Sequence, residues 1–132
     1  MTKQELCRKA QDMLKMAYVP YSHFPVGAAL ECVDGTVFTG CNVENAAYGP
    51  SNCAERTAVF KAVSEGYRQY RRIAIAADTE KFCAPCGVCR QVLSEFDPQL
   101  TMEVILVNNR GETMELTLKD LLPYSFGSDN LG

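Results

Sequence analysis

The chain carries Cys53-Ala54-Glu55-Arg56 and, further on, Pro85-Cys86-Gly87-Val88-Cys89. Three thiolates make an incomplete tetrahedral zinc site. Zinc sites that only support a fold usually close all four positions, whereas catalytic sites keep one for water. Glu55, two residues after the first cysteine, is placed to move protons on and off that water. The pattern points to hydrolysis by a metal-bound hydroxide.

Cys86-x-x-Cys89 alone is ambiguous, because the same spacing at a helix start describes thioredoxin-like redox motifs. Cys53 favours the metal, since it opens a second predicted helix, and two helix N-termini aimed at one spot stabilise thiolates. Seen alone, Cys53 also suits a small buried hydrophobe. Its polar neighbours Asn52, Glu55 and Arg56 count against that. Residues two apart on a helix diverge by about 200°. Cys53 and Glu55 can therefore face one site only if Cys53 stands at or before the first helical residue. Arg56 enters through charge: three thiolates and a dication leave one net negative charge. A guanidinium hydrogen-bonded to the thiolates withdraws part of it. His23, the only histidine, reads as a loop residue. Cys7 and Cys32 read as core or helix-face thiols, and Cys41 and Cys83 have no ligand partner at useful spacing.

These residues need elements to hold them. Thr2-x-x-Glu5 predicts a capping box, followed by an apolar stripe from Leu6 to Ala17 and a stop at Pro20. Val26 to Cys32 predicts a strand and Asp34-Gly35 a hairpin turn, with Thr36 to Val43 returning. Asn42 to Asn52 reads as loop. A helix from about Cys53 to Glu65 ends at Gly66, and Ile73 to Ala77 is a short buried strand. Pro85 precedes a helix from Cys86 to Phe96. Val104 to Val107 is a strand, Asn109-Arg110-Gly111 a turn, and Met114 to Leu118 an edge strand. Thr117-x-x-Asp120 caps a last short helix through Leu122. Helices alternating with buried strands imply crossovers. The expectation is a single α/β domain over residues 1–132: three-layer α/β/α with a mixed sheet of about five strands.

Composition sets the class. At 132 residues, a chain buries on the order of two-thirds of its unfolded surface and needs no disulfide staples. The net charge is −3, and the one basic cluster, Arg68, Arg71 and Arg72, reads as a solvated strand edge. That argues against a long nucleic-acid partner. No apolar run has signal-peptide or membrane-spanning length, so a cytoplasmic location is expected. Seven cysteines in such a compartment favour metal binding or catalysis over disulfides.

Cys-Ala-Glu-Arg followed by Pro-Cys-x-x-Cys resembles the cytidine deaminase family, whose zinc enzymes share a general signature with His or Cys as first ligand. The likeness runs almost end to end. It includes Val19 to Ala29, Gly40 to Tyr48, Gly87 to Leu93, and Leu122-Pro123-Tyr124-Ser125-Phe126. It implies one zinc per chain on Cys53, Cys86 and Cys89, with Glu55 as proton shuttle and Arg56 tempering the thiolates. It further implies that Asn42 and Glu44 bind the ribose hydroxyls, that Ala54 contacts the base through its backbone, and that Phe24 packs beside the nucleoside. Ala46, Tyr48 and Phe126 are expected to reach a neighbouring subunit's site, in a homotetramer, and Asn45, in the ribose-binding segment, is expected among the substrate-binding residues. The implied reaction is deamination of cytidine and deoxycytidine in pyrimidine salvage, with a small nucleoside and no membrane as partner. Taken one at a time, Asn42, Glu44 and Asn45 also suit ordinary turns, and both phenylalanines suit ordinary packing. Two competing readings are deamination of a cytosine-containing antibiotic such as blasticidin S, and a redox or structural zinc protein. The second leaves Glu55 without a purpose.

Overall fold

The structure is a computed structural model and describes residues 1–131. Its strands are β1 (Val26–Cys32), β2 (Val37–Cys41), β3 (Tyr70–Ala77), β4 (Glu103–Val107) and β5 (Thr113–Thr117). They form one sheet in the order β2-β1-β3-β4-β5. β3 and β4 are parallel; the other neighbouring pairs are antiparallel. The sheet has helices on both sides, as the alternation of helical and strand patterns predicts.

Successive strand residues point to opposite faces, and the central strands are apolar on both. Leu30, Ile73, Ile75, Val104 and Leu106 face α2 (Ala54–Ser64) and α3 (Gly87–Glu95) in one core cluster. Ala29, Ala74, Ala76, Ile105 and Val107 face the other way, against Leu6, Cys7 and Ala10 of α1 (Lys3–Asp12). The small alanines let α1 sit close. Gly27 brings it closer still, since a Cβ there would stand 2.1 Å from the Ala10 carbonyl oxygen. Cys7 and Cys32 are buried, as expected of core thiols.

Thr2 caps α1 by accepting the Glu5 backbone N–H at 3.1 Å. The helix is shorter than the stripe to Ala17 predicts, because its end tightens into a 3₁₀ turn at Met13–Met16, a common helix ending. The capping box of Thr117 and Asp120 forms at the start of α4 (Leu118–Leu121). The second strand is also shorter than expected. After Cys41 the chain leaves the ladder, and Val43 instead bridges to Tyr18 and Asn52.

One expectation is overturned. Arg68 and Arg71 are exposed, but Arg72 is buried, 6% exposed. β3 begins at Tyr70, before the predicted Ile73. That start puts Arg72 in register with Glu31 of β1, and the two side chains form an ion pair. The cluster is therefore not a wholly solvated edge: a cross-strand carboxylate pulls its third arginine inward. No helix of the described residues is long and apolar enough to cross a membrane.

Candidate active site

Cys53 and Cys86 are the residues that cap α2 and α3. Cys53 has extended backbone, φ −77° and ψ 157°, immediately before Ala54. That is the position required for Cys53 and Glu55 to face one site. Cys86 is likewise extended, and its Sγ accepts the Cys89 backbone N–H at 3.4 Å. Each cysteine thus sits at a helix N-terminus, where unpaired N–H groups favour negative charge.

The three sulfurs converge. Cys53 Sγ lies 3.8 Å from Cys86 Sγ, and Cys86 Sγ lies 3.4 Å from Cys89 Sγ. Among the described residues, these three form the one group of His, Cys, Asp or Glu side chains close enough to hold a metal ion. Tetrahedral zinc with bonds of about 2.3 Å separates its sulfurs by roughly 3.8 Å, so the donor set fits zinc in number, type and spacing. The three thiols do not hold their protons equally. Hydrogen bonding from the Cys89 thiol, reinforced by Arg56, lowers Cys53 to about 5. The same bond to Cys53, with burial, raises Cys89. Arg56 Nη2 donates to Cys53 Sγ at 3.2 Å.

Glu55 is buried, 4% exposed, in the first turn of α2. Burial pushes its carboxyl above the ordinary range, and the nearby Cys53 charge adds to the rise. What brings this turn onto the sheet is Gly40 of β2. A Cβ there would meet the Ala54 carbonyl oxygen at 2.4 Å and the Ala58 nitrogen at 2.6 Å.

A cleft of about 380 Å³ opens over Glu55. Its walls include Phe24, Asn42, Glu44, Cys53, Ala54 and Cys86. Asn42 is locked by both ends of its amide: Oδ1 accepts the Val26 N–H at 2.9 Å, and Nδ2 donates to the Phe24 carbonyl at 2.8 Å. Glu44 accepts two backbone N–H groups, from Tyr21 and Ser22. Asn45 and Tyr48 line an adjoining hollow that shares Ser22 and Glu44 with the cleft. Ala46 is exposed beside them and does not line the cleft. Phe126 lies elsewhere, in the tail beside Ser94 and Leu100, and is 58% exposed. Its carbonyl accepts a hydrogen bond from Gln91 of α3 at 2.8 Å. Ser22 lines the cleft too, although within the Val19 to Ala29 stretch it carries no chemical signal of its own. Cys83, which has no ligand partner at useful spacing, is also part of the cleft wall.

Residues 1–106 match the family model "Cytidine and deoxycytidylate deaminase zinc-binding region". A cytidine deaminase of Sporosarcina psychrophila is 50% identical over 131 residues, covering 99% of this chain and 96% of that protein. A cytidine deaminase of Halalkalibacterium halodurans is also 50% identical, over 99% of this chain and 98% of its own length. The crystal structure of cytidine deaminase from Burkholderia pseudomallei superposes with a TM-score of 0.91 at 49% identity, covering 96% of this chain and all of that one. The three-cysteine cluster with a buried glutamate beside it lies within the matched region, on the matched fold. The chain therefore belongs to the cytidine deaminase family of enzymes.

Proposed function

We propose that this enzyme hydrolyses cytidine and deoxycytidine to uridine and deoxyuridine with release of ammonia, as a step of pyrimidine salvage. The observation that carries the reading is one cleft in which Cys53, Cys86 and Glu55 meet Phe24, Asn42 and Glu44. Cys53, Cys86 and Cys89 would hold one zinc per chain. When bound, that zinc supplies a Lewis acid that makes water ionise near neutral pH.

Glu55 does the proton work. Water contributes two protons when its oxygen replaces the amino group at C4. Glu55 passes one to ring N3 and the other to the amino nitrogen, which leaves as ammonia. A single carboxylate can serve both transfers if it reaches water, N3 and amine in turn. Its burial, which raises its proton affinity, suits a group that must hold a proton between steps.

The remaining residues bind and orient. Ala54 offers a backbone N–H at the start of α2, where helix donors lack intrahelical partners. Phe24 supplies an apolar wall for the base. Asn42 and Glu44 bind the sugar hydroxyls, and Asn45 shapes the loop behind them. Glu44 is held below the ordinary carboxylate range by hydrogen bonds from Ser22. A fixed negative charge there disfavours a phosphorylated nucleoside.

Ala46, Tyr48 and Phe126 complete a neighbouring subunit's site in a homotetramer. Their exposure, 76% for Tyr48 and 58% for Phe126, leaves both aromatic side chains free to meet another chain. A cytosolic location accords with seven unpaired cysteines, which reducing conditions preserve.

An ultraviolet assay of purified protein on cytidine, deoxycytidine, cytidine monophosphate and blasticidin S tests the reading. Both nucleosides are expected to turn over, and the nucleotide and the antibiotic far more slowly. Preference for blasticidin S, or for the nucleotide, would overturn the substrate assignment.

A further inference from the structure

Glu44 lies in the loop after β2, yet its carboxylate is held by a turn far upstream. The Tyr21 and Ser22 backbone N–H groups each donate to Oε1 at 3.1 Å. The Ser22 hydroxyl donates to Oε2. Ser22 Oγ also accepts the Phe24 N–H at 3.1 Å, so that bond occupies an acceptor site while the single hydroxyl proton goes to Glu44. The main chain reinforces the link. Glu44 N–H donates to the Tyr18 carbonyl at 2.9 Å, and Tyr18 N–H donates to the Asn42 carbonyl at 3.0 Å.

These bonds distribute the acceptor sites of the carboxylate unequally. Oε1 accepts two donors and Oε2 only one. Each carboxylate oxygen offers about two lone-pair sites, so the remaining capacity lies on Oε2. Ser22 also borders both the cleft over Glu55 and the adjoining hollow of Asn45 and Tyr48. Its hydroxyl therefore holds Oε2 at the border of the two spaces that Glu44 itself lines.

We propose that Ser22 is a positioning residue for substrate selection, which orients Glu44 Oε2 to accept a hydrogen bond from the 2′- or 3′-hydroxyl of the sugar. The proposal rests on the reading of Glu44 as a sugar contact. A plain loop staple would make the same bonds but would treat all cytosine ligands alike.

The test compares cytidine with 2′,3′-dideoxycytidine, which keeps the base and the 5′-hydroxyl and lacks the 2′- and 3′-hydroxyls. Ser22→Ala removes the side-chain donor and leaves both backbone donors. It is expected to raise KM for cytidine about tenfold, the scale of one hydrogen bond to a charged group, with kcat within about twofold. For 2′,3′-dideoxycytidine, kcat/KM should stay within about twofold of the parent, and Ser22→Thr should restore the cytidine KM. Equal losses on both substrates would overturn the proposal. So would an unchanged cytidine KM. Should Ser22→Ala fail to fold, Ser22→Cys, of similar size with a weak S–H donor, allows the same comparison. Glu44→Gln separates the two levels of the argument. If it discriminates between the substrates and Ser22→Ala does not, only the role of Ser22 falls. If Glu44→Gln does not discriminate, the sugar contact itself is wrong, and the Ser22 proposal falls with it.

Discussion

Arg56 reaches back one helical turn to Cys53, and its Nη2 donates to the thiolate sulfur at 3.2 Å. The bond ties the charge balance of the cluster to a residue that is not one of the three sulfur donors. Arg56→Gln should keep the fold and lower turnover or zinc affinity by about 10- to 100-fold, the usual effect of losing a partner of a metal ligand. Metal analysis beside steady-state kinetics separates the two effects. Unchanged values for both would show that the thiolates need no such partner.

Gly40 is where the sheet and the active-site helix nearly touch. A Cβ there would press on the backbone of Ala54 and Ala58, which cannot swing aside as a side chain can. Gly40→Ala should cost about 1–3 kcal/mol, as overpacking does, and should lower turnover by shifting the turn that carries Glu55. Urea unfolding midpoints measure the first effect. A variant as stable as the parent would mean that α2 can move away freely.

The buried pair of Arg72 and Glu31 has a different signature. Arg72→Met leaves the Glu31 carboxylate, 2% exposed, with only the more distant N-terminal ammonium at 3.9 Å, and should cost about 3 kcal/mol, the lower end of the range for breaking a buried pair. Adding Glu31→Leu should recover most of that loss, since replacing both members of a buried pair with apolar groups is often neutral. Chemical denaturation of the parent, both single variants and the double variant completes the cycle. Simple addition of the two losses would argue that the pair is not coupled.

What the sequence discloses follows from how far apart interacting residues lie. The Thr2 and Thr117 caps, the Asp34-Gly35 turn and the apolar runs of β1 and β4 are local patterns, and each is legible in a few residues. The position of Cys53 ahead of Ala54 is also legible, because Cys53 and Glu55 could not otherwise face one site. Arg72 is not, since its burial depends on Glu31 across a strand pair. Ser22 escapes for the same reason: its partner Glu44 is 22 residues away. Cys83 meets Glu55 in one cleft although 28 residues separate them in the chain. The roles proposed for Asn42, Glu44 and Phe126 rest on family resemblance, because contact with a ligand or with another chain leaves no mark in residue spacing.

Assembly supplies the next test. Phe126→Ala should lower kcat/KM by about tenfold or more, since stacking of a base on an aromatic ring contributes about 1–3 kcal/mol. If Phe126 acts on a neighbour's site, mixed oligomers of Phe126→Ala and Glu55→Gln chains should regain part of the activity that either variant lacks. Dissociated monomers, checked by light scattering, should be inactive. Active monomers, or mixtures that recover nothing, would contradict a shared site.

The central claim is that Glu55 carries both protons of the reaction at a three-cysteine metal centre. Cytidine turnover by Glu55→Gln protein shown to hold one zinc per chain tests it most directly. Turnover is expected to fall well beyond the roughly 10²–10⁴ of single-step acid–base assistance, because the same carboxylate serves more than one transfer. Near-parental turnover by the zinc-loaded variant would contradict the account.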